Sequence, residues 1–106
     1  MKFVKFTETA NRDLREIAFW LAEQSGEREV ALRFIDGIRN RVLQLENFPQ
    51  SGTFPSDRVL RSLGYRFLTY GEYLLFYTVD ETAGTVYVEA VFNSKKDYAR
   101  VLKKML

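Results

Sequence analysis

Hydrophobic residues recur along this chain with two different periods, and each period predicts an element. Lys2 to Phe6 alternates basic and apolar side chains, the pattern of a short strand with its lysines at a wet edge. Beyond it Ala10, Leu14, Ile17 and Leu21 step by four, three and four. That spacing predicts a helix capped by Thr7 or Thr9, widened by Phe19 and Trp20, and ended at Gly26. Glu27 and Glu29 favour a second helix N-terminus through the helix dipole. Ala31, Phe34, Ile35, Ile38, Val42 and Leu45 then keep helical spacing until Phe48 meets Pro49. Neither stripe is stable while exposed, so the two helices are expected to form an antiparallel hairpin on one face of a sheet.

The period changes after the loop Phe48–Asp57, which contains both prolines. Arg58-Val59-Leu60-Arg61 and Tyr65 to Tyr70 predict an entering strand, interrupted or bulged near Gly64 and turned at Gly71. Tyr73 to Val79 is apolar on both alternating faces and predicts a central strand covered on two sides. Asp80 to Gly84 supplies a turn, and Thr85 to Phe92 returns as a β-branched and aromatic strand. Ser94 and Asp97 have the spacing of a capping box before Tyr98, Val101, Leu102, Met105 and Leu106, which predict a short C-terminal helix. The expected fold is α+β, in one domain over residues 1–106. An N-terminal strand and a two-helix hairpin pack on a small antiparallel sheet, a meander of three to four strands, closed by the last helix.

Composition narrows the chemistry more than it defines it. A chain of 106 residues buries one core, and no apolar run approaches the roughly 18 residues of a membrane span. Thr7-Glu8 ends the first apolar stretch before it could serve as a secretory segment, so a cytoplasmic, membrane-free protein is expected. Cysteine and histidine are both absent, which removes disulfides, thiolate catalysis, the commonest general base and the commonest zinc ligand. No glycine-rich phosphate loop, nucleophile elbow or paired-carboxylate motif is present, and neither metal nor cofactor is expected.

The net charge of +2 is unevenly placed: residues 1–57 carry −1 and residues 58–106 carry +3. Arg61 and Arg66 flank the Gly64 turn and suit either anion holding or a solvated edge. Lys95 and Lys96 fall in the expected first turn of the last helix, where cations oppose the dipole, so they suit an anion site or an ordinary surface. Tyr98 is placed either to move a proton beside those lysines or to fill the core. Six tyrosines could stack bases or pack beneath wet hydroxyls, and packing is favoured for most of them. Phe19 and Trp20 widen the first stripe enough to offer a groove to a partner.

Taken in order, several motifs resemble the RelE/ParE-type toxins of bacterial type II toxin–antitoxin systems, over nearly the whole chain. They are Ala10-x-x-Asp13-Leu14-x-x-Ile17, Gly26 with Ala31-x-x-Phe34-x-x-x-Ile38, Leu45-x-x-Phe48-Pro49-x-x-Gly52, Leu60-Arg61-Ser62 with Gly64-Tyr65-Arg66, Tyr73 to Val79, and Val86 to Tyr98. The resemblance implies a helical hairpin on a small sheet and a cognate antitoxin partner in a hetero-oligomer. It also implies a growth-arresting, plasmid-stabilising role. Its members divide between DNA gyrase poisons and ribosome-dependent endoribonucleases that cleave messenger RNA. Leu60-Arg61-x-x-Gly64-Tyr65-Arg66 looks closer to the ParE side. Asn93 stands where the family often has histidine, and no arginine lies near Tyr73, which weakens acid–base cleavage.

The resemblance therefore implies gyrase poisoning with Arg61, Arg66, Lys95 and Lys96 as target contacts. Phe19, Trp20 and Leu21 would meet the antitoxin. The alternative is a metal-independent ribonuclease in which Arg61, Arg66 and Lys95 stabilise charge and Tyr98 moves a proton. A second alternative is an inert protein- or nucleic-acid-binding module.

Overall fold

A computed structural model describes all 106 residues. The alternating N-terminal segment forms β1 (Phe3–Phe6), and the hydroxyl of Thr7 then accepts a 3.1 Å hydrogen bond from the amide of Ala10 to start α1 (Glu8–Ser25). Gly26 ends α1 in the left-handed region at φ 71°, a conformation natural only for glycine. The chain reverses into α2 (Arg28–Val42), which tightens into a 3-10 turn over Leu43–Glu46. A short α3 (Arg58–Ser62) precedes β2 (Arg66–Tyr70), β3 (Tyr73–Asp80) and β4 (Thr85–Asn93), and α4 (Tyr98–Lys104) closes the chain.

The sheet order is β1-β4-β3-β2. β2, β3 and β4 make the expected antiparallel meander, with Arg66 opposite Tyr77 and Thr85 opposite Asp80. β1 joins it as expected but runs parallel to β4, Phe3 facing Thr85 and Phe6 facing Val88, so the sheet is mixed. Both long helices lie between these two strands in sequence, supplying the crossover that parallel neighbours need.

The hairpin covers one face of the sheet. Ala10, Leu14, Phe34, Ile38, Val42 and Leu45 pack on Leu68, Leu75, Tyr77, Val86, Val88 and Val91 in one continuous core. Gly37 permits the closest approach: a Cβ there would lie 1.8 Å from the Tyr70 hydroxyl. On the opposite face Leu60 of α3 and Leu102 of α4 cover Tyr65, Leu74, Phe76, Ala90 and Phe92. β3 is thus buried on both sides, as its continuous apolar run requires.

Two expected elements differ. Arg58 to Arg61 is a helical turn and not the start of a strand, because the Asp57 carboxylate accepts from the Leu60 amide at 3.1 Å and caps it. Helical winding also lets Leu60 turn fully inward while Arg61 stays exposed. Ser94 does not cap the last helix. Asp97 does, accepting from the Arg100 amide at 3.3 Å, while Asn93 holds the amides of Lys95 and Lys96 in a preceding turn. Lys95 and Lys96 therefore stand before α4 and not in its first turn, and their supposed conflict with its dipole disappears. No helix is long and apolar enough to cross a membrane.

Candidate functional site

The loop between helices and sheet is fastened at several points. The buried Tyr77 hydroxyl accepts from the Gly52 amide at 2.8 Å and donates to the Pro49 carbonyl at 2.9 Å. Burial pushes its phenol pKa up, so it remains a donor. Thr53 exchanges two backbone hydrogen bonds with Phe67 of β2, at 2.8 and 2.9 Å. Gly52 has no room for a side chain: a Cβ would lie 2.5 Å from the Tyr77 hydroxyl and 2.9 Å from the Phe67 carbonyl.

This fastening delivers Phe54 to two arginines. The Arg66 guanidinium donates to the carbonyls of Gln50 and Gly52, each at 3.1 Å, and lies 3.9 Å from the Phe54 ring centroid. The Arg61 guanidinium lies 4.6 Å from the same centroid. Neither arginine meets a carboxylate, since the ion pairs of the molecule are Lys2 with Glu81 and Lys103 with Asp57. Two unneutralised cations against one aromatic ring form a positive surface next to it. The sequence brought the arginines forward but not Phe54, whose only signal is an aromatic residue inside a Pro- and Ser-containing loop.

Lys96 lies elsewhere. It lines a cleft of about 440 Å³ at the β4 edge, between α1, the ends of β3 and β4, and Val101 of α4. β3 separates that edge from β2, at roughly 4.8 Å per strand, so about 10 Å divides Arg66's strand from β4. Lys95 is exposed, and Tyr98 lies on the face that α3 and α4 cover, its ring centroid 4.7 Å from that of Phe76. Tyr98 is half-buried and packs against that core. None of Arg61, Arg66, Lys95 and Tyr98 lines this cleft.

The cleft contains carboxylates to which the sequence reading assigned no functional role. Asp13 accepts from the Val91 amide at 2.9 Å, and Glu16, Ile17, Trp20, Tyr73 and Asn93 stand around it. Burial pushes the Asp13 carboxyl up, and Glu16 adds to the shift against Lys96 and Arg12. Burial likewise raises the Tyr73 phenol, with Glu72 adding to it. Asp13, Glu16 and Trp20 are spaced by three and four on one flank of α1, a signal available in the sequence. Phe19, Trp20 and Leu21 do not share a face, because consecutive helical residues project about 100° apart. Trp20 lines the cleft, Phe19 points to solvent at 68% exposure, and Leu21 packs on the hairpin core.

The family model described as the ParE toxin of the parDE type II toxin–antitoxin system matches residues 4–98. The chain belongs to the ParE toxin family. Its fold is similar to that of a protein in the chromosomal ParDE system of P. aeruginosa, with a TM-score of 0.71 and 22% identity over 88% of this chain and 96% of that one. It is also similar to a chain of the RelBE2 toxin–antitoxin complex of Mycobacterium tuberculosis, with a TM-score of 0.59 and 24% identity over 87% of this chain and 90% of that one. The isolated E. coli RelE toxin aligns over 100% of both chains, with a TM-score of 0.58 and 16% identity. No curated protein sequence matches the chain significantly. The ParE match spans the Phe54 arginine pair and every residue that lines the cleft except Val101.

Proposed function

We propose that this ParE-family protein is the growth-arresting toxin of a type II toxin–antitoxin pair, that it acts by poisoning DNA gyrase, and that a cognate antitoxin neutralises it. The observation that carries this reading is the ParE match over residues 4–98. The distribution of the charged groups supports binding over cleavage. RNA cleavage by 2′-hydroxyl attack needs a base, an acid and charge stabilisers around one phosphate. Here Tyr98 is stacked on Phe76, Arg66 is occupied by two carbonyls, and Lys95 and Lys96 precede a helix at the other end of the meander. A binding protein has no such need. The Phe54 arginine pair and the exposed Lys95 can each contact a large target from a separate position.

The test is induction of the chain alone. Growth arrest with double-strand DNA breaks, and lost supercoiling in a purified gyrase reaction, is the expected outcome. Codon-positioned cuts in translated messages would replace gyrase poisoning with RNA cleavage. Indifference of cells to the soluble, folded chain would remove the toxin reading altogether.

A further inference from the structure

The cleft at the β4 edge combines apolar walls with two carboxylates that form no ion pair within the molecule. Ile17, Val91 and Val101 supply aliphatic surface, and Trp20 and Tyr73 supply aromatic surface. Asp13 and Glu16 both line it, yet neither forms an ion pair, and Lys96 on the same wall is joined to neither. One oxygen of Asp13 is engaged by the Val91 amide, and the other makes no hydrogen bond. The cleft thus carries an excess negative charge in a chain whose net charge is +2.

The backbone along this edge is largely satisfied from within. β1 ends opposite Val88, so β4 continues past it with β3 on one side and no strand neighbour on the other. The Glu89 carbonyl accepts from the Thr7 hydroxyl, the Val91 amide donates to Asp13, and the Asn93 carbonyl accepts from the Lys96 amide. A partner segment that simply extended the sheet would find these groups taken. Recognition here falls to side chains.

We infer that this cleft takes an arginine or lysine side chain, flanked by an aliphatic residue, from a protein partner. The cationic head meets Asp13 and Glu16 beside the Trp20 ring, and the aliphatic neighbour packs on Ile17, Val91 and Val101. Charge-assisted hydrogen bonds to carboxylates and the cation–π attraction of indole favour the same occupant. An acidic segment would meet two like charges at the same position. Taking that partner to be the antitoxin rests on the toxin reading proposed above, whereas the chemistry of the cleft does not.

The test uses blocked dodecapeptides with a central Leu-Arg-Leu, Leu-Gln-Leu or Leu-Glu-Leu. Trp20, the single tryptophan of the chain, reports binding by its fluorescence. The arginine peptide is expected to shift the emission saturably and to bind at least about tenfold more tightly than the glutamine peptide, with the advantage shrinking as salt rises. Asp13→Asn and Glu16→Gln should each reduce the preference for arginine. Asp13→Asn keeps an oxygen for the Val91 amide, and Glu16 is exposed with no hydrogen bond to lose, so both variants should stay folded. Equal binding of all three peptides, preference for the glutamate peptide, or an arginine preference untouched by either substitution overturns the inference. So does a Trp20 emission shift that tracks protein concentration without peptide, since a second copy would then fill the cleft. Growth arrest is not part of this measurement: a chain that binds the arginine peptide but leaves cells growing keeps the cleft and loses the toxin reading.

Discussion

The carboxylate of Asp13 in α1 accepts a 2.9 Å hydrogen bond from the amide of Val91 in β4, joining the first helix to the last strand. Removing the acceptor leaves a part-buried amide without a partner, so Asp13→Ala should cost about 1–3 kcal/mol. Asp13→Asn keeps an acceptor and removes a charge that burial disfavours. Because burial raises the folded-state pKa above 3.8, ionised Asp13 is a net cost at neutral pH, and that cost fades as pH falls toward the unfolded value. Asp13→Asn should therefore be at least as stable as the parent at pH 7, with its advantage lost near pH 4. Thermal unfolding of the two variants across that range checks the sign.

Asp57 moves in the opposite direction. The Lys103 ammonium, first, and then the Leu60 amide hold its carboxyl below 3.8. The contribution of this clasp between α3 and α4 is present above the unfolded-state value and is lost as pH falls through the lower folded value. Asp57→Asn should thus lower the melting temperature at pH 5 to 7, and the gap from the parent should close only below about pH 4. A gap that closes already near pH 6 would mean that another group governs it.

Tyr77 and Gly52 form the hinge on which Phe54 is presented. Tyr77→Phe removes both hydrogen bonds of a buried hydroxyl and leaves the Gly52 amide unpartnered, at about 1–3 kcal/mol. Gly52→Ala forces a methyl against the Phe67 carbonyl at 2.9 Å and the Tyr77 hydroxyl at 2.5 Å, and should destabilise by a similar or larger amount. Amide exchange over residues 50–53 should accelerate in both. Unchanged protection there would show that the loop holds its shape without the phenol.

The Phe54 pair separates stability from target binding. Arg66 holds two loop carbonyls, so Arg66→Ala should lower both stability and growth arrest. Arg61 is exposed, and its side chain lies against Phe54 without a hydrogen bond or ion pair, so Arg61→Ala should leave stability within about 0.5 kcal/mol while weakening arrest. A graded loss across Arg61→Ala, Lys95→Ala and Lys96→Ala is the expected signature of binding, against a loss of orders of magnitude for a catalytic group.

Elements written in local periodicity were legible, and relationships across the chain were not. Ala10, Leu14, Ile17 and Leu21 marked α1, and Thr7 and Gly26 bounded it, because caps and stripes act within a turn. The helical turn at Arg58 was hidden, since Val59 and Leu60 suit a strand equally well until the Asp57 cap is weighed. Nothing in the Lys2–Phe6 alternation specifies a parallel partner 82 residues away at Val88. The convergence of Phe54, Arg61 and Arg66 depends on Tyr77 holding a loop 25 to 28 positions earlier, a tertiary constraint with no local pattern.

Three consecutive residues of α1 offer the sharpest test of the antitoxin contact. The expected surface was Phe19, Trp20 and Leu21 together, but only Trp20 lines the cleft. If the antitoxin anchors there, Trp20→Ala should weaken the complex by about 1–3 kcal/mol, the range for an aromatic anchor, with little change in folding because the residue is 54% exposed. Phe19→Ala, on the outward face, should leave that affinity alone. Leu21→Ala should lower stability first, by about 2 kcal/mol or less for a half-buried leucine, and affect affinity only through folding. Titration calorimetry with the purified antitoxin, alongside thermal unfolding of each variant, resolves the three outcomes. Loss of affinity in Phe19→Ala with none in Trp20→Ala would move the contact from the cleft to the outward face of α1.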